Sequence, residues 1–176
     1  MNIQELRAGI SAGVVRTYRW RANFAFPSGT EDPDGGRLAN ILAKTANLPP
    51  ATVGDIEINW GGRIVPVPGD REFTEWPVTF IATQDVAVWN SFMKWNNYLN
   101  GHISNVAKSE SLTDLTKDIT MELLDGNDNV ITQYLLTGAY PREVGELALD
   151  RGSRDEAGEF TVTFRYQEFE IAGISS

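Results

Sequence analysis

The residue types that could do chemistry are few, and they are poorly partnered. The chain has one histidine and no cysteine. Disulfide frameworks, thiolate zinc sites, iron–sulfur clusters and cysteine nucleophiles are therefore excluded, as are metal sites built on a histidine pair. His102 follows Gly101 in a polar stretch. A Ser–His–Asp set is not excluded by counting, but His102 has no cysteine to pair with and lies in a polar stretch, so it reads as a surface histidine. Asp125, Asn127 and Asn129 imitate the first three ligand positions of a calcium loop. The pattern then fails, because Val130 holds the glycine position and Leu136 stands where a bidentate Glu is needed. The stretch reads as a hairpin turn. Acid pairs such as Asp70/Glu72 and Asp155/Glu156 are of the kind glycosidases use, but any acidic chain supplies such pairs. Neither G-x-x-x-x-G-K-[ST] nor G-x-G-x-x-G occurs. The expectation is a protein that is not an enzyme and has no cofactor and no metal.

Composition agrees with a folded, non-catalytic chain. The 176 residues include 41% hydrophobic and 10% aromatic types, enough for one domain with a real core. There are 15 Lys and Arg against 24 Asp and Glu, a net charge of -9. Such a balance argues against gripping nucleic acid by its phosphates. The charge is uneven: residues 1–109 balance to zero and residues 110–176 carry all of the -9. No apolar run is long enough for a signal peptide or a bilayer span, so the reading is a soluble chain made in a cytoplasm, with no membrane anchor.

Mostly strands would position these residues. A short helix is expected over 3–14, weakened by Gly9 and Gly13. Tyr18, Trp20, Ala22, Phe24 and Phe26 alternate with largely polar neighbours, the period of a half-buried strand. Residues 28–36 read as a loop. Residues 38–48 read as an extended segment stopped by Pro49 and Pro50. Ile56, Ile58 and Trp60 mark another half-buried strand, and Gly61-Gly62 turns it into Arg63–Val67 as a hairpin. Trp76, Val78, Phe80 and Ala82 face inward on the next strand. One convincing helix follows, with Asp85 as N-cap, a stripe of Val88, Phe92, Trp95 and Leu99, and Gly101 as its stop. It is expected to pack over one opening of a β-sandwich. Residues 103–116 read as a polar connection. Ile119, Met121 and Leu123 form a strand, residues 125–129 turn it, and Val130–Leu136 returns. Leu147 and Leu149 mark a short strand. Phe160, Val162, Phe164 and Tyr166 point one way, while Phe169 and Ile171 lie on the other parity, which predicts a bulge or bend near Gln167 and Glu168. The fold class is mainly β: an antiparallel sandwich or barrel of about seven or eight strands with one flanking helix.

Two segments carry a family resemblance. One holds Gly69, Asp70, Arg71, Phe73 and Trp76, leading into a strand. The other holds Gly138, Pro141, Val144, Gly145, Glu146, Leu147, Leu149 and Asp150, leading into the last strands. In this order and spacing, and with the strand around Trp20 and Phe24 before them, they resemble the tail tube proteins of T4-type contractile phages from about Thr17 onward. The loop at 28–36 is more acidic and Gly-rich than the family pattern, and residues 172–176 form a small extension.

The resemblance implies a single tail tube domain over residues 1–176, with 1–16 as an N-terminal arm and 172–176 as a C-terminal tail. It implies a structural virion protein, assembled in the host cytoplasm, whose six-fold rings stack into the inner tube of a contractile tail. The partners implied are other copies of the chain, the tail sheath, and the baseplate and tail terminator proteins, with DNA passing through the lumen without specific binding. Ring closure removes exposed sheet edges. A lumen without surplus bases would not hold DNA, so some of Glu146, Asp150, Asp155, Glu156 and Glu159 are expected to face the lumen or the sheath. Asp70, Arg71 and Trp76 are a candidate assembly segment, with Asp70 and Arg71 as an ion pair. Rival readings are the tube protein of a phage-derived injection system or bacteriocin, and a glycan-binding β-sandwich with exposed Trp platforms. Trp76, Trp89 and Trp95 fall on core faces, which counts against the second.

Overall fold

The computed structural model describes residues 2–11, 13–152, 154 and 156–172. The main sheet has seven strands, arranged as β1 (Trp20–Phe24), β6 (Lys117–Leu124), β7 (Val130–Val144), β8 (Glu159–Arg165), β5 (Trp76–Ile81) and β2 (Ala43–Ala46), while β9 (Glu168–Ile171) pairs with β7. Every pairing is antiparallel. A separate two-stranded sheet joins β3 (Thr52–Trp60) to β4 (Arg63–Glu72).

The long β7 serves two ladders. It pairs with β9 up to Thr137 and with β6 up to Ala139, and from Tyr140 it pairs with β8. The switch falls at Gly138, whose φ of 64° is the left-handed conformation glycine tolerates. Its N–H donates to Asp118 Oδ1 at 3.0 Å. A Cβ there would stand 2.7 Å from Gln167 Cδ, so a side chain would have to displace the Gln167 side chain in addition to adopting the strained φ. Opposite it, the chain breaks between β8 and β9 at Tyr166–Gln167, where Gln167 N–H donates to Thr137 O at 3.0 Å. This is the predicted phase change at Gln167 and Glu168.

The alternating apolar residues meet between the two halves of the bent sheet. Phe24 of β1 stacks on Phe164 of β8 at 5.6 Å and lies edge-on to Phe80 of β5 at 5.3 Å. The helix α3 (Ala87–Leu99) closes one side, with Phe92 5.1 Å from Phe80 and Val88, Phe92 and Trp95 fully buried. Burying each such side chain is worth about 1.5–3 kcal/mol, so this aromatic cluster is the main source of stability.

Several expectations need correction. Residues 38–48 are not wholly extended: α2 (Gly35–Leu42) precedes β2. Ala39 is buried on its inner face, and Gly35 sits so close to Ser91 of α3 that a Cβ would overlap its hydroxyl. Tertiary packing there overrides the local pattern, and the loop expected at 28–36 ends at Asp34. The N-cap of α3 is Val86, not Asp85; Asp85 Oδ1 instead accepts the Ala87 N–H at 3.4 Å and the Thr83 hydroxyl. The polar connection at 103–116 holds a single turn, α4 (Leu112–Leu115). Leu147 and Leu149 form no strand. The expected N-terminal helix is α1 (Ile3–Gly9), whose Asn2 and Glu5 form a capping box. The expected tail, 172–176, lies outside the described residues except for Ala172.

Candidate assembly interface

The hairpin β3–β4 stands away from the body. Its turn is Gly61-Gly62, with φ of 56° and 78°, the positive-φ pair that a two-residue hairpin requires. Strands of 9 and 10 residues make an arm about 30 Å long. Cross-strand partners share a face, so Ile56–Val67 and Ile58–Val65 build an apolar stripe that ends at Trp60. Asp55, Glu57 and Asn59 lie on the other face. The expectation of a half-buried strand fails here, because Ile56, Ile58, Val65 and Val67 are all exposed and Trp60 is 79% exposed. A lone two-stranded ribbon is marginal in water, and an apolar face of this extent marks an interaction surface.

The Gly69–Trp76 segment forms the root of this arm and leads into β5 at Trp76. Gly54 of β3 faces both Gly69 and Asp70 across a bulge. A Cβ on Gly69 would come within 3.0 Å of Gly54 O, which explains the glycine. Asp70 and Arg71 are successive, exposed strand residues, so their side chains leave opposite faces and do not form the expected ion pair. Phe73 then anchors the root, edge-on to Tyr166 at 5.9 Å and to Phe169 at 5.8 Å. Trp76 is 1% exposed and its indole N–H donates to Asn47 O at 2.6 Å. It belongs to the core and supports the arm from behind.

The second motif builds a surface at the first turn of α3. Gly145 N–H donates to Thr161 O at 2.7 Å, and a Cβ at Gly145 would stand 2.6 Å from that oxygen. Trp89 Nε1 donates to Gly145 O at 3.3 Å. Beyond this clamp the chain leaves the sheet. Glu146 and Glu159 line one groove with Glu143 and the Thr79–Thr161 pair, while Asp150, Glu156 and Glu159 line the next. The acids read from the sequence thus gather on one side. Glu159 pairs with Lys44, and Asp155 lies outside the described residues. Leu149 is 90% exposed among them.

At the other end of α3, residues 101–108 form a loop held by its own backbone. Gly101 N–H donates to Val106 O at 3.0 Å, Asn105 N–H to Gly101 O at 2.8 Å and Lys108 N–H to Tyr98 O at 3.1 Å. His102 is exposed here, its N–H given to Asn97 Oδ1 at 3.0 Å. Ile103 projects fully into solvent. The Asp125 turn is self-contained. Its carboxylate accepts the side-chain amide and backbone N–H of Asn129 and the backbone N–H of Asn127, bonds that hold its pKa below the ordinary range. Among the described residues no group of acids and histidines is placed to hold a metal ion.

Sequence reasoning missed the apolar arm face and Ile103 as exposed surfaces. The arm's alternation was visible, but alternation says that a face is apolar, not what covers it.

The model of the family described as phage tail tube protein matches residues 16–172. The tail tube protein of Serratia phage KSP90 is 40% identical over 166 residues, spanning 93% of both chains. The tail tube protein gp19 of Enterobacteria phage T4 is 26% identical over 135 residues, spanning 77% of this chain and 83% of that one. Among solved structures, the fold is similar to a chain in the sheath/tube terminator of the PVC extracellular contractile injection system, with TM-score 0.65, 14% identity and coverage of 91% and 97%. It is also similar to a chain in the anti-feeding prophage baseplate, with TM-score 0.63, 18% identity and coverage of 91% and 96%.

Proposed function

The chain belongs to the phage tail tube protein family, and from that premise we propose that it is the structural subunit of the inner tube of a contractile phage tail. Six-fold rings of the chain stack into a hollow conduit through which DNA is ejected. The observation that carries the reading is the β3–β4 arm. An apolar ribbon with no cover in its own chain has a purpose when a second copy covers it, and a contact of this head-to-tail kind closes into rings or propagates along an axis. The partners that follow are other copies of the chain, the surrounding sheath, and the baseplate and terminator at the two ends.

A phage tail is favoured over an injection machine because the relatives at 40% and 26% identity are phage tail tube proteins. The likeness to injection-system chains, at 14–18% identity, is one of fold.

The net charge of -9 supports a lumen that does not hold DNA, since few bases are available to displace phosphate counterions. Glu146, Asp150, Asp155, Glu156 and Glu159 are the candidates for this role, with a sheath contact as the other use of the same surface. Changing Glu156 and Glu159 to Lys should leave tubes intact while lowering DNA delivery, read as phage titre against particle count. An unchanged titre from intact tubes would remove the lumen role.

A further inference from the structure

The two ends of α3 carry surfaces that complement each other and cannot meet within one chain. The helix has 13 residues, a separation of about 20 Å. At its C-terminal end a groove of about 540 Å³ is lined by Met93, Lys94, Asn97, His102, Ile103 and Lys108. The floor is apolar and the rim is basic. The bonds that lock residues 101–108 fix Ile103 in place, so little entropy is lost when something packs on it. Lys94 leans on Asp32, while the Lys108 side chain has no partner among the described residues.

At the N-terminal end the segment Glu146–Asp150 leaves the clamp between Trp89 and Gly145. It presents the exposed Leu149 with a carboxylate on either side, Glu146 and Asp150. Arg151 lies beside Asp150 there, which leaves Glu146 as the acid that complements Lys108 of the groove, and Leu149 as the apolar side chain that complements its floor.

We infer that Leu149 of one subunit seats beside Ile103 of the next, with Glu146 against Lys108, the base of the groove that no acid among the described residues holds. The contact rests on the self-assembly reading above and adds to it a second interface, independent of the β3–β4 arm. It is heterologous, so each subunit offers one knob and one groove and the contact repeats from copy to copy. Burial of the two apolar side chains supplies attraction, and the rim charges set the register.

The chain has no cysteine, so an engineered pair reports without background. Wild-type chains are first scored for tubes by electron microscopy, with and without the proteins that initiate the tail. Absence of tubes under both conditions counts against self-assembly itself, whereas every later outcome concerns this contact. Ile103→Cys with Leu149→Cys in one chain should give, on oxidation of assembled tubes, a ladder of covalent multimers on a non-reducing gel. Each single variant should give none. Intact tubes of the double variant without a ladder overturn the proposal. If that variant does not assemble, charge exchange decides: Lys108→Glu should lose sedimentable tubes, and adding Glu146→Lys should restore them. Normal assembly of Lys108→Glu, or no recovery on exchange, overturns it equally.

Discussion

At the scale of single residues, the two motifs act by close approach, not by chemistry. Gly145 is required because its α-carbon lies against the β8 backbone, where a Cβ would stand 2.6 Å from Thr161 O. Gly145→Ala should cost about 2 kcal/mol through strand separation and lower Tm by about 4–8 °C, read by thermal unfolding of the subunit. Tyr166 presents the opposite case. Its ring packs on Phe73 and Phe169, but its hydroxyl is buried with no hydrogen-bond partner. That burial raises the phenol pKa, opposed by a contact with the Thr74 side chain that falls short of hydrogen-bond geometry. Because an unsatisfied buried hydroxyl is a liability, Tyr166→Phe should be neutral or stabilise by up to about 1 kcal/mol. A clear loss of stability in denaturant titrations would mean that the hydroxyl is bonded after all.

At the scale of elements, stability and assembly are divided between the body and the arm. The arm joins the body at its root, where Phe73 packs on Tyr166 and Phe169, so changes far along it should not disturb the fold. Ile58→Asp should leave subunit stability within about 0.5 kcal/mol of wild type while abolishing tubes in sedimentation. Loss of the fold together with assembly would place Ile58 in the core instead. The same division explains what could be read from the sequence. Strands β1, β5, β6 and β8 and the helix α3 were legible because their apolar periodicity is satisfied within the chain. The Gly61-Gly62 turn was legible because only positive φ explains it. The arm's exposure was not, since the covering surface belongs to another molecule. The helix at 35–42 was hidden because Gly35 and Gly36 are poor helix formers, held there by packing against α3. Leu147 and Leu149 alternate like a strand, yet the chain leaves the β7–β8 ladder after Val144 and forms no strand there. Of the candidate residues, Trp76 proved to be core, Asp70 and Arg71 to be the base of the arm, and the acids to share one side of the molecule.

At the scale of the whole molecule, the chain is a body that satisfies itself and surfaces that do not. The apolar arm, the knob at Leu149 and the groove at Ile103 all lie uncovered. A self-assembling tube subunit accounts for each of these surfaces. The most direct measurement is cryo-electron microscopy of the purified chain at high concentration, with and without the proteins that initiate the tail. The expected result is hollow tubes of stacked six-fold rings in which the β3–β4 arm is buried against a neighbouring copy. Single subunits under both conditions, or tubes in which the arm remains in solvent, would contradict the account.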